Sequence, residues 1–178
     1  MSDETRVLSV GAGFMGILHA KAYEQIAGVR NVGIITRNYS SSEKLADILG
    51  GDIPRFTSFE EALEKTSPEA VAISTYTDSH YHYVSTALKR GMHVFVEKPL
   101  AETIDQSKEL FDLANRVNRK LYVGYILMTH PSWNKFTEIA HELGKPLAMR
   151  MNLNQQAKGD FYDTLYNIMK VQSPIVDW

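Results

Sequence analysis

The 178-residue chain contains no cysteine, which removes a disulfide framework, a thiolate zinc site and a cysteine nucleophile together. Long apolar runs are missing too. Nothing approaches the roughly 18 to 20 uninterrupted apolar residues that span a bilayer, and the opening Met1-Ser2-Asp3-Glu4 is polar and acidic, unlike a secretory leader. Charge of one sign is scarce: 19 Lys and Arg stand against 21 Asp and Glu, for a net charge of -2. With no Lys/Arg-rich run there is no broad basic field for counterion release, so nucleic acid is not an expected partner. Internal repeats and low-complexity tracts are also lacking. What remains is 44% apolar and 22% charged, the balance of an ordinary folded domain. The length suffices for one good core and the start of a second. These features describe a soluble cytoplasmic protein with no membrane partner.

From the N-terminus to about residue 124, short apolar runs alternate with amphipathic segments of helix length. That is the pattern of βαβ crossovers around a parallel sheet, and the expected fold is α/β, a Rossmann-type doubly wound parallel sheet. Val7-Leu8-Ser9-Val10 reads as the first strand. The helix after it carries Met15, Leu18, Ala22 and Ile26 at spacings of three and four, the predicted apolar stripe. Asn31 to Thr36 is the second strand, and Ser40 with Glu43 has capping-box spacing for the next helix. Ser58 with Glu61 and Thr103 with Gln106 repeat that spacing. Ala70-Val71-Ala72-Ile73-Ser74 is nearly all apolar, as a strand buried on both faces requires. Asp78 is the expected cap of the helix that follows, before strands at Met92 to Val96 and Lys120 to Val123. Composition shifts at Gly124. His130-Pro131 suits a helix start, with Trp133, Phe136, Ile139, Ala140 and Leu143 as its stripe, and Leu147 to Asn154 alternates like a half-buried strand of a different sheet. The predicted division is a dinucleotide-binding domain over 1–124 and, over 125–178, the incomplete start of an α+β domain for substrate and dimerisation.

Gly11-Ala12-Gly13-Phe14-Met15-Gly16 lies between the first strand and its helix, the context that gives a G-x-G-x-x-G motif meaning. The first glycine permits the tight turn, the second lets backbone approach a pyrophosphate, and the third lets helix pack closely on strand. The helix end then offers N–H groups and partial positive charge to phosphate. Folds of this kind that use NAD place Asp or Glu about 20 residues on, for the ribose 2′-hydroxyl. This chain has Thr36-Arg37 there. A guanidinium pairs with a 2′-phosphate and a hydroxyl can donate to it, so NADP(H) is favoured, with NAD(H) as the alternative.

Glu97-Lys98-Pro99-Leu100 follows the strand ending at Val96. Together with the glycine motif, His19-Ala20, Ser74-Thr75, the Asp78-Ser79-His80 turn, Val123-Gly124-Tyr125 and Leu143-Gly144-Lys145-Pro146, it resembles the Gfo/Idh/MocA family of oxidoreductases over almost the whole chain. The resemblance implies hydride transfer between a nicotinamide ring and a hydroxyl or carbonyl carbon, typically on a sugar, polyol or related small molecule. It also implies that Lys98 is the catalytic residue near the nicotinamide and that Glu97 lines the pocket by the nicotinamide ribose. Phe14, Met15, Thr36, Arg37, Ser74, Thr75, His80 and Tyr125 join the three glycines as expected cofactor contacts. His80 and His82 are two apart on a predicted helix and point in different directions, a poor metal pair, so no metal site is expected.

Family members generally run past 300 residues, and this sequence reaches Asp177-Trp178 without the glycine and histidine motif that supplies their other catalytic acid or base. Met128 stands where many relatives carry arginine. The expectation is therefore a truncated chain whose alternating strand, over 146–154, has an unpaired edge that drives homo-oligomer formation or leaves that portion poorly ordered. Two functional readings compete: an NAD(P)-dependent oxidoreductase, and a catalytically incompetent NAD(P)-binding fragment or cofactor sensor. A third, a methyltransferase-like domain binding an adenosyl cofactor, is opposed by Glu97-Lys98-Pro99.

Overall fold

The computed structural model describes residues 4–145, and the chain divides into two compact units, Met1–Gly124 and Tyr125–Trp178. In the first unit, β1 (Thr5–Val10), β2 (Val29–Ile35), β3 (Arg55–Phe56), β4 (Ala70–Ile73), β5 (His93–Val96) and β6 (Leu121–Val123) form one parallel sheet in the order β3-β2-β1-β4-β5-β6. The chain moves outward from β1 through β2 to β3, then crosses back to lay β4 on the other side of β1. This reversal is the topological switch point at which doubly wound sheets hold ligands. The α/β, doubly wound expectation describes the observed sheet.

Alternation along the strands sorts side chains into two layers. Leu8, Val10, Ile35, Val71, Ile73, Val94 and Val96 face one core. That core is closed by α3 (Phe59–Thr66), α4 (Thr77–Lys89) and α5 (Ile104–Arg116) through residues such as Leu63, Leu88 and Leu110. Ile34 faces the other layer, with Ala20 of α1 (Phe14–Glu24) and Leu45 and Ala46 of α2 (Glu43–Ile48). Leu8, Ile73 and Leu88 are fully buried, each stabilising the fold by about 1.5–3 kcal/mol. Asn31, inside β2, is buried but fully served. Its side-chain amide donates to Ala20 O at 3.0 Å and to Glu24 Oε1 at 2.7 Å, while its Oδ1 accepts from the Ser9 hydroxyl at 2.8 Å. A polar residue in a central strand thus locks the far end of α1 onto the sheet.

Three local expectations are corrected. The stripe Met15, Leu18, Ala22 and Ile26 is not the buried face of α1: Leu18 and Ile26 are exposed, and Gly16 and Ala20 are buried. Small residues four apart bring the helix axis close to the sheet, and that close approach decides the face. Ser40 does not cap a helix. Asn38 is the cap, its Oδ1 accepting from Ser41 N at 3.0 Å and from both the Ser40 and Ser41 hydroxyls, so a 3-10 turn over Tyr39–Ser42 runs straight into α2. Asp78 lies in the first turn of α4, whose cap position is Tyr76; there the carboxylate complements the helix dipole instead of capping it. The Ser58 and Thr103 hydroxyls do accept from Glu61 N and Gln106 N, as their spacing predicts.

In the second unit a 3-10 turn over Ile126–Met128 precedes α6 (Pro131–Glu142), capped by His130 with proline at its first position. No residue of α6 is buried, and Phe136, Ile139 and Leu143 are exposed. The alternating stretch from Leu147 lies outside the described residues. Among the described residues, no helix is long and apolar enough to cross a membrane.

Candidate active site

Parallel register brings the strand ends level. Val10 pairs with Ile35 and with Ile73, Ile73 with Val96, and Val96 with Val123. The next residue of each strand then bonds sideways: Gly11 N to Ile35 O, Ser74 N to Val10 O, Glu97 N to Ile73 O and Gly124 N to Val96 O, all at 2.8–2.9 Å. The glycine turn, Ser74 and the Glu97-Lys98 turn are therefore neighbours along one edge, although they lie far apart in sequence.

Gly11 has φ +97, and a Cβ there would strike the Ser74 carbonyl. A Cβ on Gly16 would strike the Gly11 carbonyl, so both glycines are demanded by packing. Gly13 differs. Its φ of -73 suits any residue, and a Cβ there would meet nothing within 4 Å. The open space beside Gly13 is what a diphosphate needs for close approach to backbone. No side chain caps this end of α1 and no acidic residue sits in its first turn, so the positive end of the helix is left for an anion. Phe14 is exposed and Met15 half-buried there. The Ser74 hydroxyl is buried with no hydrogen-bond partner, an orphan that a bound hydroxyl or phosphate would satisfy. Thr75 Oγ1 lies 2.7 Å from Ser79 Oγ. These residues fit a dinucleotide.

At the end of β2 the Thr36 hydroxyl donates to Asn38 O at 2.7 Å. That bond shapes the turn that carries Arg37. Arg37 is exposed, its guanidinium 5.9 Å from the centre of the Tyr76 ring. His80 is fully buried, with Nδ1 2.7 Å from Pro99 O and Nε2 3.1 Å from Thr75 O. With both ring nitrogens turned to carbonyls, it braces the Thr75 turn against the Lys98-Pro99 turn.

Glu97 is buried, and Lys98 beside it is half-buried. His19 Nε2 donates to Glu97 Oε1 at 2.7 Å, and Lys98 N donates to Glu97 Oε2 at 3.2 Å. Burial alone would raise the Glu97 carboxyl. The hydrogen bonds from the His19 side chain and the Lys98 backbone, with the electrostatic attraction of the His19 and Lys98 side chains, outweigh it and hold the carboxyl below the usual range. Burial and the nearby Glu97 charge push the Tyr23 phenol up to about 12. Tyr125 opens the second unit, at the start of the 3-10 turn. Among the described residues no group of three potential metal ligands gathers.

The sequence assigns no contact to Tyr23, and His19 enters it only among the residues that carry the family resemblance. The signal for them was the spacing Gly16, His19, Ala20, Tyr23, the i, i+3, i+4, i+7 stripe of the true buried face.

Residues 5–125 match the family model for the Gfo/Idh/MocA oxidoreductases, described as having an NAD-binding Rossmann fold. The chain belongs to that oxidoreductase family. It is 25% identical over 177 residues to an inositol 2-dehydrogenase/D-chiro-inositol 3-dehydrogenase of Lactiplantibacillus plantarum, covering 97% of this chain and 51% of that protein. It is 31% identical over 123 residues to D-xylose 1-dehydrogenase (NADP(+)) 2 of Haloferax volcanii, covering 68% of this chain and 37% of the relative. Among solved structures, GenD2 from gentamicin A biosynthesis in complex with NAD superposes with a TM-score of 0.70 at 28% identity, covering 79% of this chain and 38% of that one. The chain spans about half the length, or less, of these members of the oxidoreductase family.

Proposed function

We propose that this chain is the dinucleotide-binding half of an NAD(P)-dependent oxidoreductase acting on a sugar, polyol or related small hydroxy or carbonyl compound. The observation that carries the reading is the single sheet edge shared by an uncapped helix end at Gly13, the unsatisfied Ser74 hydroxyl and the Glu97-Lys98 turn. Gly13 to Met15 would hold the pyrophosphate through backbone N–H groups, and Ser74 would complete its hydroxyl with a ribose or phosphate oxygen. A nicotinamide held there would supply the hydride exchange with the substrate carbon. Lys98 is the residue we assign to the oxygen on that carbon. As an ammonium it stabilises a developing alkoxide or donates the proton a carbonyl oxygen needs; as an amine it accepts the hydroxyl proton in the reverse direction.

The preference for NADP(H) rests on Arg37 and on the lack of a carboxylate at the end of β2. One relative's name specifies NADP(+) and one structural neighbour holds NAD, so family membership leaves the choice to these residues. The sugar or polyol class rests on the inositol and xylose dehydrogenases among the relatives. Calorimetric titration of the 178-residue chain with NADPH and NADH, followed by a turnover screen against sugars and polyols, tests the reading. Tighter binding of NADPH with turnover supports it in full. Binding without turnover favours the cofactor-binding module, and no binding of either dinucleotide refutes both.

A further inference from the structure

His19 lies on α1, the helix whose first turn is the proposed pyrophosphate site, yet its side chain reaches the other functional element of the edge. Its ring packs against Phe95 with centroids 4.7 Å apart and stacks on Tyr23 at 6.3 Å. The side chains of His19 and Glu97 are only 20% and 10% exposed. Gly124, at the end of β6, leaves the carboxylate its place: a Cβ there would stand 3.3 Å from Glu97 Oε1 and from Phe95 Cζ. Glu97 is thus held at both oxygens, one by α1 through His19 and the other by the backbone N–H of Lys98.

We propose that His19 is a positioning residue: by fixing the Glu97 carboxylate it orients the backbone at Lys98, tying the residue assigned to proton transfer to the helix assigned to the cofactor. Its importance for chemistry rests on the catalytic reading of Lys98, but the clasp itself is a property of the fold. A buried carboxylate deprived of its charge-assisted donor regains water by rotating outward. Rotation of Glu97 in this way withdraws Oε2 from the Lys98 N–H. Glutamine at position 19 carries an amide N–H at a comparable reach and supplies the donor without the ring. Alanine does not.

Residue-resolved amide hydrogen exchange on the full 15N-labelled chain, without cofactor, tests the clasp. The Lys98 amide is read against those of Ser74 and Gly124, which bond strand carbonyls and not Glu97. His19→Ala is expected to speed Lys98 exchange about tenfold with the two controls unchanged, and His19→Gln to restore it to within about threefold of wild type. Unchanged Lys98 exchange in His19→Ala overturns the proposal. So does equal acceleration in both variants, which would make the ring a space-filler. If His19→Ala loses protection at the controls as well, His19→Gln decides: wild-type Lys98 exchange in a folded H19Q chain supports the clasp, and accelerated exchange overturns it. Failure of the wild-type chain to bind NADPH would refute the functional reading while leaving this outcome in place.

Discussion

Gly13→Ala and Gly16→Ala are the same chemical change three residues apart, and the structure separates their consequences. A methyl on Gly16 would lie 2.9 Å from the Gly11 carbonyl carbon and closer still to its oxygen, where carbon atoms ordinarily approach to about 3.5–4.0 Å. Both obstructing atoms are backbone, so α1 must lift by about 1 Å from a core in which Ala20 is fully buried. Overpacking of this kind costs about 1–3 kcal/mol, a fall in Tm of roughly 2–4 °C for each kcal/mol in a chain of this size. A methyl on Gly13 meets nothing within 4 Å and asks for no unusual backbone angle. Its stability cost is that of a poorer helix cap, about 1 kcal/mol or less, but the methyl stands in the space assigned to the pyrophosphate. Gly13→Ala should therefore melt close to wild type and bind NADPH at least about tenfold more weakly. Gly16→Ala should lose both stability and affinity. Thermal denaturation beside calorimetric titration reads the two effects separately. Wild-type NADPH affinity in folded Gly13→Ala, or wild-type Tm in Gly16→Ala, would refute the reasoning.

Arg37→Ala should weaken NADPH about 10- to 100-fold and change NADH by less than about threefold; equal losses for the two cofactors in a competition assay would remove the guanidinium from the 2′-phosphate. Asn31→Ala should cost about 2–3 kcal/mol in urea denaturation, because it strands the buried Ser9 hydroxyl and strips Ala20 O of its side-chain donor, and a smaller cost would mean that water enters the gap. Glu97 has its folded value held below the ordinary 4.5, so its contribution to stability is fully present above that pH and is lost as pH falls through the lowered folded value. Glu97→Gln should accordingly show a shallower acid limb of stability against pH, and superimposable limbs would contradict the ion pairing with His19.

Most of the sheet was legible because its strands are short apolar runs that no helix period accommodates. The glycine turn was legible because a strand precedes it and a helix follows. What escaped had a physical reason in each case. The buried stripe of α1 runs through Gly16 and Ala20, where nearness of backbone and not apolar bulk decides the face, so Leu18 and Ile26 misled. Asn38 took the cap from Ser40 because its Oδ1 reaches the Ser41 N–H and two hydroxyls at once. His80 sits near the expected cofactor turn, but its burial between two carbonyls depends on how α4 meets the Lys98-Pro99 turn, a tertiary fact. The His19–Glu97 bond joins residues 78 apart, a pairing that only the sheet order reveals.

The central claim is that a dinucleotide lies along the edge running from Gly13 to Lys98, and NADPH titration of the 15N-labelled chain followed by amide NMR tests it most directly. The account predicts saturable shifts that are largest at Gly13, Phe14, Arg37, Ser74 and Lys98, with Arg119 and Lys120 at the opposite end of β6 unmoved. Shifts confined to other residues, or none at millimolar NADPH, would contradict it.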